Sequence, residues 1–209
     1  MDLAHIFGLV VLVFSVMVHE VSHGFVAEKL GDPTARNAGR LTMNPLSHID
    51  IFGSILLPLI LVFTNSPVLF GWAKPVPYNP MNLKNPRTGA AKIAAAGPLS
   101  NFLLALIFGL AVRLSFIYGM TENDILPALF AGIVFANISL GVFNLVPIPP
   151  LDGSKVLMAI LPQGERTFKF LMALERNGMV LIFLFIFFGF SVLRPIINGL
   201  FALFTGLAF

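Results

Sequence analysis

From Ile125 to Val146 the chain carries no charged side chain, and a run of roughly 20 such residues is long enough to cross a bilayer as a helix. Ala91–Tyr118 is a second such run, with only Lys92 and Arg113 near its ends. Inside lipid every backbone polar group must find its partner within the chain, so a spanning segment is a helix or part of a closed barrel. Soluble domains carry about 25% charged residues. Here the figure is 11%, against 57% hydrophobic. The chain reads as an all-α polytopic membrane protein.

A third run, Leu9 to Val18, ends in His19-Glu20-Val21-Ser22-His23. On a helix His19 and His23 stand one turn apart on one face and can reach one metal ion. Glu20 points about 100° round the helix from His19. It therefore does not share the metal and is free to handle the proton of a metal-bound water. The bland alternative is a polar pair at a membrane interface. There is no cysteine, so disulfides and thiolate ligands are excluded and a metal site must use His, Asp and Glu. The net charge of +3 lies in short loops, which suits topology rather than nucleic acid. No Lys or Arg precedes the first run, so it does not read as a removable signal peptide.

Read in order, the first span covers Leu3–Leu30 and ends at Gly31-Asp32-Pro33. Thr34–Asp50 is too polar for lipid and reads as extended strands or turns. Ile51–Phe63 is apolar but too short for a straight span and contains Gly53 and Pro58. Thr64–Pro80 is proline-rich. After the spans at 91–118 and 125–146 comes a polar helical stretch, Ser154–Arg176. A further span, Met179–Leu193, follows, and a short apolar piece, Ile196–Phe209, lies beyond Arg194-Pro195. That last piece is a second span, a kinked continuation or an interfacial helix. Lys and Arg cluster at 29–40, 74–92 and 155–176 and are missing from Met1–His5 and Gly119–Asp124. The positive-inside rule then puts the three clusters in the cytoplasm. For the first two to share a side, Ile51–Phe63 must enter and return. Arg113 runs against the pattern and is expected to snorkel. The expected architecture is three core helices, a re-entrant segment, short membrane-associated β strands, and one or two trailing transmembrane helices. It forms a single domain over 1–209, with its core at 1–161 and trailing helices at 162–209.

This parity brings Asp152 to the depth of the histidines. Asp152 follows a break at Pro147-Ile-Pro149-Pro150, and Gly153 beside it permits a tight turn. Catalytic zinc takes three protein ligands and a water. Asp152 is the best third ligand, with His48 or Asp50 and, more remotely, Asp32 as alternatives. Asp152 as a helix N-cap is the structural alternative. An ion so held would lower the pKa of its water, and Glu20 would take the proton and later return it to the leaving amine. The reaction class is hydrolysis of a peptide or similar acyl bond. Asn144 can donate to the oxyanion, and Asn137 lies seven residues earlier on the same face. Asn101 is either a wall of the site or packing glue.

HExxH in a first membrane helix, Gly97-Pro98-Leu99-Ser100-Asn101 in a later span, and the stretch Asn144–Gly153, NLVPIPPLDG, closing the next resemble the site-2 protease family of intramembrane zinc metalloproteases. GDPTARNAGRLTMNPLSHIDIFG and GWAKPVPYNP extend the likeness to a compact prokaryotic branch without PDZ or CBS domain. The resemblance implies one Zn2+ held by His19, His23 and Asp152, Glu20 as base, and Asn144 assisting the substrate. It also implies a transmembrane protein substrate cleaved near the cytoplasmic side of a prokaryotic cell membrane, as in regulated intramembrane proteolysis. Segments such as Gly39–Asn44 and Trp72–Tyr78 would hold unwound substrate by strand addition. A catalytically silent relative that binds membrane helices is the alternative, though such a binder has no need of Glu20. A metal transporter would want charges along several spans. The oligomeric state is not set by the sequence.

Overall fold

The computed structural model describes residues 3–56, 59–60, 63–64 and 73–207. Seven α-helices are found among them: α1 (Leu3–Lys29), α2 (Thr34–Asn37), α3 (Pro86–Ile117), α4 (Ile125–Asn144), α5 (Asp152–Ile160), α6 (Glu165–Leu184) and α7 (Phe190–Thr205). Among the described residues, four helical stretches are long and apolar enough to cross a membrane: Ile6–Lys29, Pro86–Ile117, Ile125–Asn144 and Glu165–Gly189. The protein is an integral membrane protein.

The bundle forms because each long helix buries one residue per turn on a single face. On α4 these are Val134, Ile138 and Val142, and on α7 Leu193, Ile197 and Phe201. The matching face of α3 is Gly97, Asn101, Ala105 and Gly109, small side chains that let neighbouring helices approach closely. Asn101 meets Asn137 of α4 and His19 of α1, and His23 meets Ile93. As α1 advances from 19 to 23, its partner on α3 retreats from 101 to 93, so the two are antiparallel. Ser15 bonds Asn137 and Gly132 faces Phe7, so α1 and α4 run parallel. The parity expected from charge therefore holds for α1, α3 and α4.

Asp32 accepts from the Asn79 N–H (2.6 Å) and from Asn82 Nδ2 (2.7 Å). The chain thus returns to α3 at the end where it left α1. Lys74 N also donates to His48 O at 2.9 Å, closing residues 49–73 into an excursion whose two ends meet. Ile51–Leu56 is a π-helical segment. The rest of the expected re-entrant course includes residues 57–58 and 61–62, outside those described.

Two expectations are corrected. There is no strand among the described residues: 39–44 pass through turn and bend, and 73–79 are irregular, while Trp72 lies outside the described set. The cause is that side chains, not a neighbouring strand, take the backbone groups. The Arg40 guanidinium donates to Ser47 O, Lys74 O and Pro75 O, Glu20 accepts from Val76 N, and Pro75 and Pro77 have no N–H to offer. The second correction concerns the trailing helices. The chain is not broken at Arg194-Pro195, since Pro195 lies inside α7; the irregularity is a π-helical segment at Phe185–Gly189. Phe185 packs against Phe143 and Phe201 against Phe135, so 185–205 runs antiparallel to α4. At 1.5 Å per residue that is about 30 Å, the thickness of a hydrocarbon core. The described part of the piece expected as Ile196–Phe209, residues 196–207, is thus the end of a kinked continuation. Arg113 does not simply snorkel. It donates to Leu203 O (2.5 Å) and Phe204 O (2.9 Å), capping the carbonyl end of α7 where a cation is favoured.

Candidate metal centre

His19 and His23 fall on the buried face of α1, below Ser15 in a stripe of every fourth residue. Both are nearly inaccessible. Their rings stand edge to face, 4.7 Å between centroids. Gly97 of α3 lies directly against them, and a Cβ there would collide with both imidazoles. Beyond Asn144 the chain leaves α4 through the proline-rich turn and re-enters helix at Asp152. Gly153 allows this, because a Cβ would strike the Leu145 and Val146 carbonyls. Asp152 is thereby delivered to the histidines: its Oδ2 lies 3.0 Å from His19 Nε2 and 3.2 Å from His23 Nε2. Its carboxylate does not cap a helix, and Leu151 holds the cap position of α5.

Among the described residues, His19, His23 and Asp152 are the one His/Cys/Asp/Glu group able to hold a metal, with ligand atoms within 4.8 Å of one another. The donor set fits such an ion on further grounds. His19 Nδ1 is 2.6 Å from Asn101 Oδ1 and His23 Nδ1 is 2.6 Å from Ile93 O. Each ring donates its far N–H to an acceptor and turns Nε2 toward the common point, as metal-bound histidines do. Lys155 Nζ lies 3.9 Å from Asp152 Oδ1 and 5.6 Å from the Tyr78 ring centre. The Tyr78 hydroxyl is raised by burial and by the Asp152 charge.

The alternative third ligands lie elsewhere in the bonding pattern. His48 is buried with Nε2 on Thr42 O, Asp50 accepts from Gly53 N, and Asp32 ties the loops at the foot of α1 and α3. A cavity of about 150 Å³ opens beside the three candidate ligands, lined also by Glu20, Asn144, Tyr78 and Lys155. Glu20 is half-buried and its Oε2 accepts from Val76 N at 2.8 Å. Asn144 uses one amide hydrogen on Leu140 O and keeps the other. Asn101, expected as a wall of the site or as packing glue, does not line the cavity. It is fully buried behind His19 with its amide committed to protein groups. The sequence reading missed its bond to His19, the Val76 contact on Glu20, and Lys155. Ser15, four residues before His19 on the same face, was the legible clue to the first.

Residues 115–188 match the family described as Peptidase family M50. A Bacillus subtilis (strain 168) protein named "Putative zinc metalloprotease YwhC" is 38% identical over 199 residues, spanning 91% of this chain and 85% of that one. The chain belongs to peptidase family M50, the site-2 proteases. The Methanocaldococcus jannaschii "Zinc metalloprotease MJ0392" is 27% identical over 180 residues, and the match spans 42% of its length. No solved structure matches the chain significantly. This M50 member is a metalloendopeptidase of the site-2 protease type, and its candidate site lies among the helices that family membership and apolarity place in a membrane.

Proposed function

We propose that this M50 peptidase is an intramembrane zinc endopeptidase that hydrolyses peptide bonds in or near transmembrane segments of substrate proteins. Zinc is its cofactor, with His19, His23 and Asp152 as the ligands. The observation that carries the reading is the convergence of His19 Nε2, His23 Nε2 and Asp152 Oδ2 beside Glu20 in one cavity. Zinc bound there supplies Lewis acidity toward water and the scissile carbonyl. The residues supply the rest. Glu20, steadied through Oε2 by Val76, accepts the proton of the attacking water on Oε1. It delivers that proton to the amide nitrogen as the C–N bond breaks, leaving a carboxylic acid and an amine. The remaining N–H of Asn144 meets the carbonyl oxygen as it gains charge. The substrate is a membrane helix locally unwound at the cavity, and the site faces the cytoplasmic side of the cell membrane.

Glu20→Gln tests the mechanism. In detergent-purified protein it should retain zinc, since it removes no ligand, and cut a model transmembrane peptide at least about 100-fold more slowly, the lower bound for losing a general base. Cleavage at the wild-type rate would refute the role of Glu20. Asp152→Ala should lower the bound zinc itself.

A further inference from the structure

Behind the candidate ligands, three helices bury a chain of polar side chains that touches no part of the cavity. Asn101 of α3 and Asn137 of α4 are fully inaccessible and Ser15 of α1 nearly so. Asn137 Nδ2 donates to Ile133 O (3.0 Å) and to Ser15 Oγ (2.9 Å). Asn101 Nδ2 donates to Asn137 Oδ1 (2.9 Å) and to Ser15 O (3.3 Å). Asn101 Oδ1 lies 2.6 Å from His19 Nδ1.

The direction of these bonds follows from chemistry. The Ile133 and Ser15 carbonyls can only accept, so each must face an amide nitrogen. Asn137 therefore turns its oxygen toward Asn101, whose nitrogen must face both that oxygen and Ser15 O. Only the Asn101 oxygen is left for His19. An oxygen facing Nδ1 calls for a hydrogen on Nδ1, and neutral imidazole with Nδ1–H has its lone pair on Nε2. Asp152 Oδ2, 3.0 Å from Nε2, makes the opposite demand wherever no metal lies between them, so the amide chain and the carboxylate pull the hydrogen in opposite directions. Two backbone carbonyls thus favour, through two amides, Nε2 as the His19 nitrogen that binds a metal. His23 reaches the same state through one bond to Ile93 O.

We propose that Asn101 and Asn137, with Ser15, are positioning residues that lock His19 in the Nδ1–H tautomer. This rests on the reading of His19 as a ligand. It goes beyond that reading in assigning a role to Asn137 and Ser15, which act on the site only through Asn101. Interhelical glue would predict an effect on stability alone.

The lock is read in Asp152→Ala protein freed of metal and labelled with 15N-histidine, at alkaline pH where imidazoles are neutral and no carboxylate competes for a hydrogen on His19 Nε2. The His19 signal is identified by its loss in His19→Gln. The Nδ1–H tautomer is expected, and an Nε2–H tautomer or a fast-exchanging mixture would overturn the lock. This measurement needs no metal and no activity, so it stands even if the zinc reading fails. Its consequence is measured by zinc competition against a chelator. Asn101→Leu should weaken zinc by about 10- to 100-fold, the usual effect of losing a histidine's outer partner. Asn137→Leu should weaken it less, by several-fold. Asn101→Asp keeps an acceptor for Nδ1–H but loses both donated bonds. It should hold zinc within a few-fold of wild type while melting at a lower temperature. Equal zinc loss in Asn101→Asp and Asn101→Leu, or none in a folded Asn101→Leu, would leave only a structural role. If Asn101→Leu does not fold, Asn101→Asp and the Asp152→Ala spectrum still decide.

Discussion

A single methyl group on Gly97 would collide with both candidate histidines. Gly97 is the α3 residue that packs on the His19 and His23 rings, and the imidazoles are pinned from behind by Asn101 and Ile93. They cannot retreat from a Cβ at 97 without surrendering those bonds. Gly97→Ala gains helix propensity of nearly 1 kcal/mol, so the helix itself should tolerate the change. The metal site should not. Zinc retained after dialysis should fall at least about 10-fold relative to wild type, in line with a disturbed outer shell, while helical content by circular dichroism stays unchanged. Full zinc retention in Gly97→Ala would mean the imidazoles are held less rigidly than these bonds imply.

At the scale of elements, the long helices were legible and the connections were not, for one physical reason. A lipid-grade run has one solution, a helix that satisfies its own backbone, so Ala91–Tyr118 and Ile125–Val146 correspond closely to α3 and α4. Between α1 and α3 the backbone has side chains to bond with. There the partner, not the local pattern, decides the conformation. Trp72–Tyr78 is expected as strand, yet residues 73–78 are irregular, and Arg40 and Glu20 bond backbone groups that a neighbouring strand would take. The position of the trailing break was missed because Pro195 is the visible helix breaker, whereas the π segment at Phe185–Gly189 leaves no such mark. Asp32 is the knot of these connections. It is fully buried and accepts from Thr34 N and Oγ1, Asn79 N and Asn82 Nδ2. Burial would raise its pKa, but these donors bring it below its ordinary 3.8. A depressed folded-state pKa gives stability that is fully present above the unfolded value. That stability is lost as pH falls below 3.8 and through the folded value. Wild type should therefore lose melting temperature progressively below about pH 4. Asp32→Asn, whose amide cannot accept from every donor, should start lower by about 1–3 kcal/mol and lack that component of the slope. Parallel pH profiles for the two proteins would remove Asp32 from this role.

The architecture of the whole molecule turns a chemical requirement into a topological one. Asp152 meets His19 and His23 because α1 and α4 run the same way with α3 reversed between them. That arrangement requires residues 30–85 to leave and return at one end of the bundle, and the Asp32–Asn82 and His48–Lys74 contacts close that return. Lys84 and Glu122 must then lie on opposite membrane faces, separated by the length of α3. Charge bias assigns the faces: the basic clusters surround the Lys84 end, while Gly119–Asp124 carries Glu122 and Asp124 and no cation. The absence of cysteine from the sequence makes the assignment directly measurable, since any introduced thiol is the sole target. In right-side-out vesicles a membrane-impermeant maleimide should label Glu122→Cys and spare Lys84→Cys. Inverted vesicles should reverse the pattern. Labelling of both positions from one side would mean that α3 does not cross the bilayer. Labelling of Lys84→Cys alone from the outside would preserve the site but turn it to the other face, placing proteolysis outside the cytoplasm.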